Sequence, residues 1–105
     1  MSTLIRGQIV RANIGLDEPK LLLVVSNNRR NNALGTALTA RLTTTSKHAR
    51  LSSVVEIPDT EQVTGYVMCD DLMELWADEV LGHISALSPA AMGQVDEGLR
   101  AALDL

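Results

Sequence analysis

Apolar positions fall along this chain in several short runs followed by one helical stripe. Gln8-Ile9-Val10 and its neighbours read as a strand. Asn13 to Pro19 carries Asn, Gly, Asp and Pro, the residues of turns. The five-residue apolar run Leu21 to Val25 fits a strand buried on both sides. Ser26, Asn27 or Asn28 then offers a cap for a short helix through Asn32. Residues 36–44 (TALTARLTT) alternate, with Leu38, Ala40 and Leu42 expected inward and Thr39, Arg41 and Thr43 on the opposite face. A polar, basic loop over 45–52 follows, then a strand from Val54 to Ile57 ended by Pro58-Asp59. Gly65 to Asp70 is again strand-like. Residues 71–87 are ambiguous: Leu72, Leu75, Trp76, Glu79 and Val80 fit a helix, yet Leu72, Glu74 and Trp76 also alternate. Ser88-Pro89 starts a helix, with serine as N-cap and proline at the first helical position. Met92, Val95, Leu99, Ala102 and Leu103 then share one face. Short strands followed by one amphipathic helix predict a small, strongly bent sheet or barrel packed on a helix.

Composition narrows the class. The chain has 105 residues, so one domain over 1–105 is expected. Hydrophobic residues at 46% and charged residues at 21% are the balance of a globular protein. No apolar run approaches the roughly 18–20 residues of a membrane span. The start MSTLIRGQIV lacks a basic segment followed by a long apolar stretch, so no secretory signal is expected. The single Cys69 excludes an internal disulfide and points to a reducing, cytoplasmic setting. Two His and one Cys are too few and too scattered for a structural zinc site, and no metal or cofactor is expected. With Tyr66 and Trp76 as the only aromatics, an aromatic platform for stacking RNA bases is not available.

Charge is distributed unevenly. The formal net charge is −4, but residues 1–50 hold eight cations against Asp17 and Glu18, whereas residues 51–105 hold Arg100 against eleven acids. Two arrangements fit: a basic cleft that attracts phosphates with an acidic back, or halves that interleave in the fold so that the field averages out.

Four stretches, in order, give the chain its resemblance to a family. They are Arg6-Gly7-Gln8-Ile9-Val10; KLLLVVSNN at 20–28; ARLTT at 40–44; and GYVMCDDL at 65–72 with LGHISALSPAAMGQVDEGLRAAL at 81–103. Together they resemble the MazF/PemK (Kid) type toxins over nearly the full length. The resemblance implies a mainly β fold with α: an SH3-like β-barrel of the CcdB/PemK-like toxin type with a C-terminal amphipathic helix. It implies a homodimer, a cognate MazE-like antitoxin, and sequence-specific, metal-independent cleavage of single-stranded RNA that inhibits translation. It also implies that Leu72–Trp76 and Leu81–Leu87 are strands separated by a short turn or helix near Asp78–Val80.

In such ribonucleases the ribose 2′-hydroxyl attacks its neighbouring phosphate, leaving a 2′,3′-cyclic phosphate and a 5′-hydroxyl. The protein must assist two proton movements and stabilise charge on phosphorus. The resemblance places Thr43 at the family's catalytic threonine and Thr44 at the hydroxyl after it. The family's arginine position holds Lys20, which keeps the charge but loses the two-pronged contact with phosphate; the alternative for Lys20 is a solvated strand end. Arg41, two residues before Thr43 and so on its face, is a second candidate cation, or else a phosphate contact or the partner of an acid. Asp70 matches an RNA-binding aspartate of the family, although Met68 replaces the basic residue expected two positions earlier. Asp17 and Glu18 lie where related toxins face substrate; they either bond base edges or are solvated loop acids. Lys47 and His48, in the basic loop, are RNA-contact candidates, whereas His83 reads as structural and Cys69 as a small core residue.

Two further functions compete with RNA cleavage: a non-catalytic toxin of the same fold that grips a protein such as DNA gyrase, and a dimer module that only binds its antitoxin. Thr43, Thr44 and the basic 29–50 segment favour RNA. The loop 45–52 contains no acid. An acidic, initially disordered antitoxin segment is therefore expected along Arg41, Lys47 and Arg50, imitating an RNA backbone.

Overall fold

The computed structural model describes residues 4–15 and 17–105. Leu16, inside the expected turn, lies outside the described residues. The elements run β1 (Gln8–Ala12), β2 (Lys20–Val24), α1 (Asn28–Leu34), β3 (Thr36–Thr43), β4 (Val54–Glu56), β5 (Tyr66–Trp76), one 3-10 turn (Ala77–Glu79), β6 (Val80–Ala86) and α2 (Pro89–Leu103). The ambiguous segment 71–87 is thus strand, short turn and strand, as the resemblance implies. Asn27 caps α1, its side chain accepting from the Arg30 N–H at 2.8 Å. Ser88 caps α2 in the same way, accepting from Ala91. Among the described residues, no helix is long and apolar enough to cross a membrane.

All six strands join one antiparallel sheet in the order β4-β5-β3-β2-β1-β6. Strands β5 and β6 are joined by only three residues, yet β3, β2 and β1 lie between them. In a flat sheet that separation is about 19 Å, four strand spacings of roughly 4.8 Å. A single 3-10 turn, rising about 2 Å per residue, cannot span it. The sheet therefore curls over its inner face. The Trp76 N–H donates to Glu79 Oε1 at 2.8 Å, and the Asn13 N–H to the Glu79 carbonyl at 3.1 Å, fastening the turn to the end of β1. The curl does not close: β4 and β6 remain edges, so the expected barrel takes the form of an open curled sheet.

Strand alternation feeds two apolar clusters. Ile9, Leu23, Ala40, Val67 and Cys69 meet Ala91, Met92 and Val95 of α2. Val10, Ala12, Leu22, Val24, Ala37 and Leu75 point the other way and pack with Leu4. β2 is thus buried on both sides, Leu23 in one cluster and Leu22 and Val24 in the other. Two expected core residues are exposed. Leu38 is opposite Glu74 in the register, beyond Ala40 and Leu42, which pack toward α2. Leu103 is the last residue of α2. Periodicity gives the angle of a side chain about its element, not whether a partner exists at that height.

The sheet order also decides the charge question. Arg6 pairs with Asp96, Arg30 with Glu74 and Arg41 with Asp71, each joining a cation of residues 1–50 to an acid of residues 51–105. The strands of the acidic half flank those of the basic half, and the summed field is weaker than the sequence asymmetry suggests.

Candidate active site

Lys20 opens β2 and Thr43 ends β3. The two strands pair antiparallel with Leu22 opposite Arg41. Continuing that register by two residues brings Lys20 opposite Thr43. Cross-strand partners share a face, as do residues two apart. Lys20, Arg41 and Thr43 are thus placed together on one side of the sheet.

A cleft of about 260 Å³ opens at this point, lined by Pro19, Lys20, Leu21, Arg41, Leu42, Thr43, Thr44 and Thr64. Beside it a second hollow of about 320 Å³ is lined by Gly15, Asp17, Glu18, Lys20 and Arg41. Lys20 and Arg41 form the ridge common to both. The geometry brings together six of the residues singled out in the sequence: Asp17, Glu18, Lys20, Arg41, Thr43 and Thr44. Lys47, His48 and Asp70 are exposed and line neither hollow. Lys47 and His48 lie in the turns after β3, and Asp70 lies within β5. His83 is exposed on β6 opposite Val10, so it is not a core residue.

Thr43 Oγ1 accepts from the Thr45 N–H at 3.3 Å, which leaves the hydroxyl hydrogen free to be donated into the cleft. Lys20 forms no ion pair among the described residues, whereas Arg41 Nη1 lies 3.8 Å from Asp71 Oδ2. Both cations line the cleft and the second hollow; Asp17 and Glu18 line the second hollow only, which is of mixed charge. Among the described residues, no group of three or more His, Cys, Asp or Glu is placed to hold a metal ion.

Thr64 is a lining residue that pattern reading does not single out. It arrives on the β4–β5 loop, and its position depends on Gly65. Gly65 has φ of +127°, and a Cβ there would sit 2.7 Å from the Thr43 carbonyl oxygen. Only glycine allows the loop to press so closely on the end of β3. The Ile57 N–H, donating to the Gly65 carbonyl at 2.9 Å, closes the base of the loop. A glycine just before a strand was the available signal, but nothing in the sequence says which strand it approaches.

Behind the sheet, Cys69 is fully buried, with Sγ 3.8 Å from the Val95 carbonyl. Burial, with smaller contributions from Asp70 and Asp96, pushes its thiol up to about 11. It is a core residue, as its apolar strand suggests, and not a nucleophile. Glu61 accepts from the Ser88 N–H at 2.7 Å and from the Ser88 hydroxyl at 3.0 Å. The backbone hydrogen bond is the main reason its carboxyl lies below the usual range.

Comparison with known proteins gives this cleft a context. Residues 5–103 match the family described as PemK-like, MazF-like toxin of type II toxin–antitoxin system. The chain is 33% identical over 105 residues to Endoribonuclease MazF4 of Mycobacterium tuberculosis, covering all of this chain and 97% of the relative. Endoribonuclease MazF1 of Mycobacterium bovis matches to the same extent. Among solved structures, an endoribonuclease in complex with its cognate antitoxin from a mycobacterial species superposes with a TM-score of 0.88 and 34% identity, over 96% of this chain and 95% of that one. The MazE–MazF structure of Deinococcus radiodurans, at 21% identity and a TM-score of 0.78 over 96% and 95%, shares the fold. This chain belongs to the PemK-like, MazF-like family of toxins of type II toxin–antitoxin systems.

Proposed function

We propose that this toxin is an endoribonuclease that cleaves single-stranded RNA in the cleft between the start of β2 and the end of β3. The observation that carries the reading is the meeting of a lysine with no ion pair among the described residues, a second cation and a donor hydroxyl, Lys20, Arg41 and Thr43, at one cleft. The attacking group is the substrate's own 2′-hydroxyl. Its oxygen bonds to the adjacent phosphorus, the P–O5′ bond breaks, the 2′ proton is lost and the 5′ oxygen gains one. No metal-bound water is called for. Lys20 stabilises the charge that builds on the phosphoryl oxygens as a point cation. Thr43 donates its hydroxyl hydrogen to the same group and fixes its orientation. Arg41 and Thr44 hold the flanking phosphate, while Asp17 and Glu18 face the bases from the adjoining hollow. Lys47, His48 and Asp70, outside the cleft, contact RNA beyond the scissile bond.

The reading extends to assembly. We read the curled sheet as the SH3-like barrel of the CcdB/PemK-like toxins, with β4 and β6 left as edges. A small chain with exposed Trp76, Leu81 and Ile84 gains stability by pairing, and a homodimer is proposed. A MazE-like antitoxin with an acidic segment is the proposed inhibitor, and the cytoplasm the proposed compartment. The experiment is incubation of the purified chain with a long RNA in EDTA, beside Lys20→Ala and Thr43→Ala. The reading expects cleavage by the wild type and its loss in both variants. An intact RNA, with capture of a protein target such as gyrase instead, would replace it.

A further inference from the structure

The pairing of β3 with β5 slips at the cleft. Ala40 is opposite Leu72, but the next residue, Arg41, is opposite Met68. Cys69, Asp70 and Asp71 therefore have no partner on β3 and form a bulge beside Arg41. Bulges re-aim side chains. Here Cys69 turns into the core, its N–H donating to the Ser53 carbonyl at 2.9 Å, and two consecutive aspartates are exposed. Of the two, Asp71 reaches Arg41, a residue of the cleft lining: its Oδ2 lies 3.8 Å from Arg41 Nη1, and neither side chain is buried.

An acid beside a phosphate-binding cation has two opposing effects. It weakens binding of an anionic substrate, and it restricts the rotamers of a long, flexible arginine. Lys20, the other ridge cation, forms no ion pair among the described residues. We propose that Asp71 is a positioning residue: it holds the Arg41 guanidinium against the cleft wall at the β3–β5 bulge, so that Arg41 orients the phosphate while Lys20 remains the fully available cation. The proposal rests on the reading of the cleft as an RNA-cleaving site. It makes the bulge, and not only the strand ends, part of the machinery.

The test compares wild type, Asp71→Asn, Asp71→Glu, Arg41→Ala and the Arg41→Ala/Asp71→Asn double variant of the full chain. Steady-state cleavage of a fluorogenic RNA is measured in EDTA. Asp71→Asn should lower kcat about five- to tenfold, the range expected for coupled neighbours, with KM no higher than wild type. Asp71→Glu should recover most of kcat. In the Arg41→Ala background, Asp71→Asn should change kcat by less than about twofold if the effect passes through Arg41. An equal loss in both backgrounds, or no loss in either, overturns the proposal.

A second readout does not depend on catalysis. In protein labelled with 15N-arginine, Asp71→Asn should shift and sharpen the Arg41 Nε–Hε signal while those of Arg6 and Arg30 stay in place. An unmoved Arg41 signal overturns the proposal whatever the kinetics. A signal that moves in Asp71→Asn, where the wild type leaves RNA intact, supports the Asp71–Arg41 coupling and overturns the cleavage reading instead.

Discussion

The two sides of the curled sheet treat their polar groups differently. Toward α2, polar atoms are fastened. The Cys69 thiol faces the Val95 carbonyl, Glu61 clamps the start of α2 at Ser88, and Arg6 pairs with Asp96. Gly98 lets α2 come down on the strands: a Cβ there would lie 2.5 Å from Val55 Cγ2 and 2.9 Å from Cys69 Sγ. At the cleft the reverse holds. Lys20 has no ion-pair partner among the described residues, Thr43 keeps a hydrogen to donate, and Arg41 is held only by a long contact with Asp71. Satisfied groups fix the frame, and unsatisfied ones are available to a substrate. Stability and reactivity should therefore separate cleanly by side.

The largest expected effects lie at the cleft. Thr43→Ala and Lys20→Ala should each lower RNA cleavage by more than about tenfold, the scale of a lost transition-state donor or charge. Melting temperatures should stay within a few degrees of wild type. Full activity in Lys20→Ala with none in Arg41→Ala would move the catalytic cation to Arg41.

Next comes the packed side. Gly98→Val overfills the contact of α2 with Val55 and Cys69, and should cost about 1–3 kcal/mol of stability in denaturant titrations. The cleavage rate per folded molecule should be unchanged. If activity falls in proportion to stability at temperatures where the chain is folded, the two sides are not independent.

Cys69 sharpens the comparison at smaller scale. With its thiol pushed up to about 11, alkylation of the folded protein at pH 8 should be far slower than of the unfolded chain. Equal rates would mean that the α2 side opens readily. The smallest effect belongs to Glu61. Its folded-state pKa is depressed, so its contribution is present above the unfolded value and is lost as pH falls through the folded one. The stability difference between wild type and Glu61→Gln should be present at neutral pH and vanish in acid below the ordinary carboxylate range. A difference independent of pH would assign Glu61 a role other than accepting from Ser88.

The parts legible in the sequence are those set by local chemistry. Ser88-Pro89 marks the start of α2 and Leu21–Val25 a doubly buried strand because capping and apolar runs act within a few residues. Lys20, Arg41 and Thr43 were found through the family resemblance and the two-residue period. Leu38 and Leu103 were misplaced because alternation fixes orientation without showing where α2 and the sheet stop covering each other. Thr64 and Asp71 were invisible for a different reason. Thr64 reaches the cleft on a loop pressed against Thr43, Asp71 reaches Arg41 through a slip in strand register, and both depend on pairings between segments distant in sequence. Likewise the uneven charge of the two halves is reduced on folding, because strands of the acidic half flank those of the basic half and ion pairs join the two.

The account's central claim is that the 2′-hydroxyl of the substrate attacks a phosphate held by Lys20 and Thr43, with Arg41 on the flanking phosphate. The most direct measurement is mass spectrometry of the ends produced from a single-stranded RNA in EDTA, beside the same RNA with a 2′-deoxynucleotide at the cleavage position. The account predicts a 2′,3′-cyclic phosphate and a 5′-hydroxyl from the first and no cleavage of the second. A 3′-hydroxyl with a 5′-phosphate, or cleavage of the deoxy-substituted strand, would contradict it.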